Sequence, residues 1–269
     1  RILPAILVLP DVPIHRAIKG NAPGLSERSG LFHGCGSVRG QNMDTHMILD
    51  YLTELSANNN REWYHAHKAE YQAANAQFEG LIQALMLRIG EFDGSILGHA
   101  PKELTFKLVR DTRFSHDKSP YNPAFRAHIS SMGKLPIPVS YYIMLKPGGQ
   151  SFLGGGLFAD MFKDATRMVR DHISEHGSEW EGIITAPAFQ ECFTVSGTAL
   201  KNVPAGYEKN HPQAEYLKYK NWYLEYPVQD NELSDGDRFL SKAADIFRRM
   251  KPFNDYLNKA LMGFKMPER

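Results

Sequence analysis

The sequence predicts an α+β domain in which an antiparallel sheet of about four to six strands packs against N-terminal and C-terminal helices. Three observations support this fold class. Apolar residues recur at three- and four-residue steps near both ends of the chain, as in half-buried helices. In the middle of the chain they alternate with polar residues, as in strands. The strand-like stretches follow one another through short links, which favours antiparallel pairing.

The N-terminal part of the pattern predicts two helices. An apolar stripe that includes Leu52 and Leu55 predicts a helix over residues 47–57. Three asparagines at 58–60 interrupt the stripe, and asparagine is a good N-cap because its side-chain oxygen accepts an exposed backbone N–H. We therefore expect a second helix to start there and to run to residue 90. Its predicted buried face consists of Trp63, Tyr71, Phe78, Leu81, Leu85 and Ile89.

Alternating apolar residues predict the strands. The first should run from 104 to 109, with Leu104, Phe106 and Leu108 on one face. A Pro-Gly-Gly turn at 147–149 separates two later strands and fits a hairpin with positive φ angles. The remaining strands are predicted at 124–130, 139–146, 150–158 and 222–228.

The C-terminal half returns to helical spacing. Helices are predicted over 160–176 and 178–185, and Pro187 follows the second of them. The C-terminal residues should form further helices with Pro252 between them, because proline disrupts a helix interior. No repeat or linker divides the chain after residue 42, so we expect 43–269 to form a single α+β domain.

Composition excludes several classes of protein. Hydrophobic residues make up 42% and charged residues 23% of the chain, which is typical of a globular protein. The net charge of +1 makes nucleic acid an unlikely partner and gives no attraction to an anionic membrane, so any anion affinity must be local. Cys35 and Cys192 suggest neither a disulfide framework nor a zinc site, which favours the cytoplasm. No apolar run is long enough to span a bilayer.

Residues 1–42 differ from the rest of the chain. They begin at Arg1 and carry glycine and proline with little periodicity. We expect a non-native or disordered extension, with Met43 or Met47 as the natural start. A secretory signal is the alternative, but prolines interrupt the apolar stretch that it would need.

The stretch RDTRFSHDKSPYNP, residues 110–123, is the most unusual in the chain, and we call it the basic loop. If the preceding strand keeps its alternation, Arg110 points to the apolar face and needs a carboxylate partner, either Asp111 or Asp117. Residues that precede proline are restricted to extended conformations, so the two prolines of the loop stiffen it. A stiff loop that presents several donors is preorganised to bind an anion.

Two interpretations of the basic loop remain open. In one, it is an ion-pair network that fixes a connection, with Phe114 and Tyr121 anchored in the core. In the other, Arg113 and Lys118 bind an acidic group of a ligand, while Arg110 stays paired with an aspartate. Both interpretations can hold at once.

A second basic and aromatic cluster spans residues 200–220. Lys201 and His211 would contribute to the same ligand site if this segment folds beside the basic loop. Pro212 suits the first turn of a helix, whose free N–H groups favour an anion. The alternative is a solvated helix face with Tyr216 and Leu217 packed inward.

Two further motifs are weaker. GGGLF at 154–158 lacks the phosphate-loop pattern and more closely fits a bulge or a close approach of another backbone. His172 and His176 share a helix face but do not form an HExxH motif, so we predict no metal site. The sequence leaves both the cofactor and the oligomeric state unknown.

RDTRFSHDKSPY, SANNNREWYHAHKAEY, GGGLF and LKNVPAGYEKNHPQAEYLKYK together resemble a conserved, uncharacterised bacterial family, domain of unknown function 2461. The resemblance covers residues 47–262 and implies a cytosolic single-domain protein without an assigned activity. Members of the family often have Lys and Thr where this chain has Asn122 and Pro123. They also have a proline shortly after the glycine cluster, where this chain has Ala159 and Asp160. The first departure puts a lysine contact at that corner in doubt.

Three functional hypotheses follow. The first is binding of an anionic, phosphorylated small molecule through the basic loop. The second is an enzyme in which Asp111 or Asp117 acts as a general base beside the arginines. The third is a nucleic-acid or protein-binding module in which Tyr121, Tyr207 and Tyr219 alternate with basic residues.

Overall fold

The computed structural model describes residues 44–113 and 115–267. The predictions about residues 1–42, and about Met43 as a start, lie outside the described residues. The expected anchoring role of Phe114 lies outside them as well.

The N-terminal helices form largely as predicted. Helix α1 spans Thr45–Ala57, and the Asp44 side chain caps it by accepting a hydrogen bond from the Met47 N–H at 3.0 Å. The predicted second helix is two helices, α2 at Arg61–Ala66 and α3 at Lys68–Gly90. Asn60 caps α2, as its residue type predicted. The break falls at His67, whose backbone leaves the helical range and whose ring contacts the Trp63 carbonyl at 2.8 Å.

The described part of the chain contains a four-stranded antiparallel sheet, which confirms the α+β fold class. Its strands are β1 at Phe125–Ile129, β2 at Tyr141–Leu145, β3 at Ser151–Leu157 and β4 at Trp222–Val228. Their order in the sheet is the same as their order in the chain. Gly148 and Gly149 have φ angles of 79° and 67° in the turn between β2 and β3, as predicted.

One face of the sheet packs against helices. Phe125 and Tyr141 belong to this first face, and the Phe125 ring stacks on Phe78 of α3 at 5.2 Å. The predicted close approach at GGGLF is confirmed at Gly156, which has a φ of 95°. A Cβ there would lie 2.4 Å from the Trp222 carbonyl oxygen. Only glycine therefore allows β3 and β4 to meet in this geometry.

The predicted strand at 104–109 does not form. Instead, Pro101–Leu104 is a short helix, α4, which begins with proline and is capped by the Glu103 carboxylate. Isolated bridges then connect Thr105 to Ala127 and Val109 to Tyr121. Residues 105–109 thus run beside β1 as an irregular edge, because the local proline and cap favour a helical turn at the point where alternation begins.

The remaining helices lie after β3 and around β4. They are α5 at Lys163–Glu175, α6 at Gly177–Ile184, α7 at Pro187–Gln190, α8 at Ala214–Leu217 and α9 at Gly236–Ala260. The expectation of separate helices around Pro252 is wrong, because α9 continues through that residue. Buried residues on both sides, among them Phe247, Phe253 and Leu257, hold the helix together where the proline removes a hydrogen bond.

Candidate functional site

In the basic loop, the structure shows which of the two aspartates pairs with Arg110, a choice that the sequence left open. Arg110 pairs with Asp117 rather than with Asp111, and its second terminal nitrogen donates to the Ser115 hydroxyl at 3.3 Å. The Arg110 side chain is 27% exposed, so it lies at the edge of the core rather than fully inside it. Its backbone N–H donates to the Pro120 carbonyl at 2.9 Å, which closes the loop.

The other cations of the basic loop also contact groups of the loop itself. Arg113 Nε donates to both carboxylate oxygens of Asp111 at 2.9 Å. Lys118 Nζ donates to the Thr112 carbonyl at 3.0 Å. These contacts support the interpretation as an ion-pair network. The assignment of Arg113 and Lys118 to a ligand stays a prediction.

Tyr121 anchors the basic loop to the helices. The Asn59 side chain accepts a hydrogen bond from the Tyr121 N–H at 3.1 Å and donates one to its carbonyl at 2.9 Å. The Tyr121 ring stacks on Tyr64 at 4.2 Å and is buried. The tyrosine is therefore a structural contact between the loop and α2.

The electrostatics of the loop carboxylates do not favour a role as general base. Hydrogen bonds from Arg113 lower the pKa of Asp111 to about 2. Hydrogen bonds from Ser119 and from Arg110 hold the pKa of Asp117 well below its usual range. A carboxylate with such a low pKa is a weak base near neutral pH.

The two basic segments lie at opposite edges of the sheet. The basic loop follows the segment that bridges to β1 at Thr105 and Ala127, whereas the 200–220 segment leads directly into β4 at Trp222. Three strand spacings of about 4.8 Å separate those edges. This topology argues against a common pocket for the two segments.

The residues singled out in the 200–220 segment have structural contacts or face solvent. Lys201 is exposed. His211 uses both ring nitrogens, because Nδ1 accepts from the Gln213 N–H at 3.0 Å and Nε2 lies 3.1 Å from the Ser174 carbonyl, to which it donates. Helix α8 begins at Ala214 and has four residues, so Pro212 lies before its first turn. The expected anion site at this helix end stays a prediction.

Sequence reasoning missed a more unusual group of residues on the second face of the sheet. Arg126 lies in the middle of β1 and points away from the helices, on the side opposite to Phe125. Its side chain is buried, with 4% of its surface exposed. One terminal nitrogen donates to the Lys107 carbonyl at 3.3 Å, and Nε has no hydrogen-bond partner.

Two aromatic rings and Lys134 lie near this arginine, and Lys107 contacts it through its backbone carbonyl. The Arg126 guanidinium lies 5.6 Å from the centre of the Phe106 ring, and Lys134 Nζ lies 5.8 Å from the same centre. The Tyr142 ring lies 6.3 Å from Phe106. We call Phe106, Lys107, Arg126, Lys134 and Tyr142 the Arg126 cluster.

In the described part of the chain, the cations of the Arg126 cluster form no ion pair with a carboxylate. Burial lowers the pKa of Arg126 and of Lys134, and the positive charge of Lys107 lowers the pKa of Lys134 further, although the charge of the nearby Glu103 carboxylate raises the pKa of Lys134 in part. Both the loss of solvation on burial and a neighbouring positive charge disfavour the protonated form, and this lowers the pKa of a cationic side chain.

His128 fixes the position of Lys134. It lies next to Arg126 on the second face and hydrogen-bonds with the backbone of Gly133 and Leu135. Burial lowers the pKa of His128 to about 4, so the ring is neutral near pH 7. The histidine thereby ties the connection between β1 and β2 to the sheet without adding charge to the cluster.

An aromatic surface extends from the cluster across the sheet toward β4. The Tyr142 ring lies 5.7 Å from Phe152 and 6.0 Å from Phe158, and the Phe158 ring stacks on Tyr223 at 4.9 Å. We call these four rings the aromatic floor. Glu225 of β4 lies on the same face, half-buried, and burial raises its pKa.

One sequence signal could have identified this site. In the strand at 124–130, an arginine occupies a position between Phe125 and Ala127, and both of these neighbours are apolar. A charged residue in the middle of a strand next to a central strand is expensive to bury and so indicates a site. The two lysines come from separate irregular segments, and no local pattern connects them to Arg126.

The histidine pair on α5 has the predicted geometry. The rings of His172 and His176 lie 4.4 Å apart, on one face of the helix end. In the part of the chain that the structure describes, no group of acidic, histidine or cysteine residues has the arrangement of a metal site.

The fold and the second sheet face define an α+β protein with a basic, aromatic-lined surface opposite its helices. The chain belongs to the family described as a conserved hypothetical protein, domain of unknown function 2461, which it matches over residues 47–256. No curated protein and no solved structure matches the chain. Within residues 44–113 and 115–267, no helix has the length and apolar character needed to cross a membrane.

Proposed function

We propose that the protein binds an anionic small molecule, such as a phosphorylated metabolite, at the Arg126 cluster. One observation carries this proposal: the Arg126 guanidinium and Lys134 Nζ lie 5.6 and 5.8 Å from the centre of the Phe106 ring, and neither forms an ion pair with a carboxylate among the described residues. The proposal keeps the ligand class expected from the sequence but moves its binding site from the basic loop to the second sheet face.

The energetics of Arg126 support an anionic ligand. The Arg126 guanidinium hydrogen-bonds with the Lys107 carbonyl and with Tyr142, but its buried Nε–H has no partner, and an unsatisfied buried donor costs free energy. A phosphate or carboxylate group would accept the Nε hydrogen bond and neutralise the local charge. Arginine also presents a planar fork that matches the oxygens of these anions.

The basic loop would support the site from beside it. Its hydrogen bonds join residues 108–110 to residues 120–122, directly after the point where Thr105 and Phe106 pair with β1. The segment so fixed includes Phe106 and Lys107 of the cluster. Arg113 and Lys118 would be secondary contacts at most, since both donate to groups within the loop. We also propose a cytoplasmic location, which the free thiol of Cys192 supports.

A thermal-shift screen with phosphate, sulfate and phosphorylated metabolites tests the proposal. A ligand at about 100 times its dissociation constant adds about 2.7 kcal/mol to the free energy of unfolding. We expect such a shift in the wild type and in Arg113→Ala, but not in Arg126→Met. Absence of a shift with every anion, or an equal shift in Arg126→Met, would contradict the proposal.

A further inference from the structure

A groove opens between α1 and the two helices that follow it, α2 and α3. Its volume is about 440 Å³, which is within the range of small-molecule sites in proteins. We call it the α1 groove, and its main lining residues are Asp50, Tyr51, Glu54, Trp63, His67 and Glu70. None of these residues belongs to the Arg126 cluster.

The walls of the α1 groove are mostly aromatic and apolar. The rings of Trp63 and His67 stack at 4.1 Å and are half-buried, and the Tyr51 ring lies 6.0 Å from the Trp63 ring. Met47 adds an apolar side chain that is 38% exposed. Such walls favour a ligand with methylene groups over a small hydrated ion.

Carboxylates on both sides give the α1 groove a negative charge. Asp50 and Glu54 come from α1, and Glu70 comes from α3. Among the described residues, none of these three carboxylates forms an ion pair, and no lysine or arginine lines the groove. Like charges four residues apart on a helix repel, and a cleft lined by one sign of charge attracts the opposite sign. The groove therefore suits a cation.

Tyr51 contributes an unused polar group. Its side chain is buried, with 6% of its surface exposed, and its hydroxyl has no hydrogen-bond partner in the part of the chain that the structure describes. Burial raises the pKa of Tyr51, and neighbouring tyrosines and the charge of Glu70 raise it further, so the hydroxyl lies within electrostatic reach of a groove carboxylate. Buried hydroxyls normally have a partner, and a ligand that carries N–H groups supplies one.

The spacing of the carboxylates indicates more than one positive charge on the ligand. Asp50 and Glu54 are about 6 Å apart along the axis of α1. Glu70 faces them from the α3 side of the groove. A short chain of methylene groups places two ammonium groups at a similar separation and lies against the apolar walls between them.

We propose that the α1 groove binds a linear aliphatic polyamine, whose ammonium groups lie at Asp50, Glu54 and Glu70 and whose methylene groups lie against the aromatic walls. This site is separate from the proposed anion site, because it is built from other residues and carries the opposite charge.

Calorimetric titration of the full chain with spermidine tests the proposal. The comparison ligands are n-butylamine, which has a single positive charge, and Mg²⁺, which has two charges but no apolar body. We expect saturable binding of spermidine that is at least about tenfold tighter than that of either comparison ligand, because linked charges and methylene groups act together. Glu54→Gln should weaken spermidine binding at least about threefold, and Tyr51→Phe should weaken it as well.

Glu208→Gln is the matched control, since Glu208 is exposed and does not line the α1 groove. It should bind spermidine as the wild type does. Arg126→Met should also bind it normally, which separates this inference from anion binding. Absence of saturable spermidine binding, equally tight binding of n-butylamine or Mg²⁺, or an equal loss in Glu208→Gln and Glu54→Gln would overturn the inference.

Discussion

Replacing Arg126 with methionine tests whether the buried guanidinium is held for function rather than for stability. Methionine has a similar length and is apolar, so it can fill the space on β1 without a charge. Residues kept for binding often reduce the stability of the free protein, because their partners arrive only with the ligand. We therefore expect Arg126→Met to unfold at about the same temperature as the wild type, although it removes a buried side chain with several contacts.

The magnitude follows from the contacts of the side chain. Removal of a buried, unsatisfied donor recovers about 1–3 kcal/mol. The losses are the hydrogen bonds to the Lys107 carbonyl and to Tyr142 and the contact with the Phe106 ring, together about 1–3 kcal/mol. The gain and the losses nearly cancel, so the melting temperature should change by no more than about 2–4 °C in a domain of this size.

The assay is thermal unfolding followed by circular dichroism, without ligand and with phosphate. Arg170→Met is a matched control, because Arg170 is also partly buried but donates twice to the Tyr219 carbonyl, at 3.1 and 2.7 Å. That variant should be destabilised. If Arg126→Met instead loses about 2 kcal/mol or more, the arginine is a structural residue and the reasoning fails.

Three further predictions concern the scaffold. The free energy of unfolding should fall as the pH drops from 6.5 toward 4. In this window the unfolded chain binds a proton at His128, whereas the folded protein, in which the pKa of His128 is lowered to about 4, does not. This difference amounts to about 3 kcal/mol. Urea unfolding against pH should show a flatter profile in His128→Gln, and an unchanged profile would show that other groups cause the effect. Gly156→Ala should cost more than about 2 kcal/mol because a Cβ there meets the β4 backbone, whereas Gly80→Ala, at an exposed helical site with no neighbour within 4 Å, should stabilise by about 0.5–1 kcal/mol. Equal changes in the free energy of unfolding for the two variants, measured by chemical denaturation, would contradict the close approach of β3 and β4 at Gly156. Asn59→Ala should cost about 1–3 kcal/mol through the two hydrogen bonds to the basic loop, and Asn58→Ala should cost less, since its exposed side chain donates once to its own helix; the opposite order in thermal unfolding would refute this anchor.

Much of the fold could be predicted because local periodicity determines it. The strand at 222–228 and the hairpin turn at 147–149 were found at the predicted positions, since alternation and glycine placement are local signals. Two boundaries could not be predicted. His67 breaks a helix and Pro252 does not, because tertiary packing rather than propensity decides both cases.

The site was harder to predict than the fold. The basic loop is the stretch of the sequence with the highest concentration of charged residues. In the structure, most of these charges pair with one another: Arg110 with Asp117, and Arg113 with Asp111. Arg126 stands alone in a strand, and the absence of a partner is a property of three-dimensional structure. The sequence shows where charged residues are concentrated, whereas an anion-binding site depends on which of them remain unpaired in the folded protein.

The most direct test of anion binding at Arg126 is to follow the Arg126 Nε–H signal in a ¹H–¹⁵N spectrum during a phosphate titration. Arg126→Lys removes this signal and so assigns it. We predict a saturable shift of the signal, because the Nε–H has no acceptor in the free protein and gains one from the anion. A signal that stays unchanged throughout the titration would contradict the proposed site.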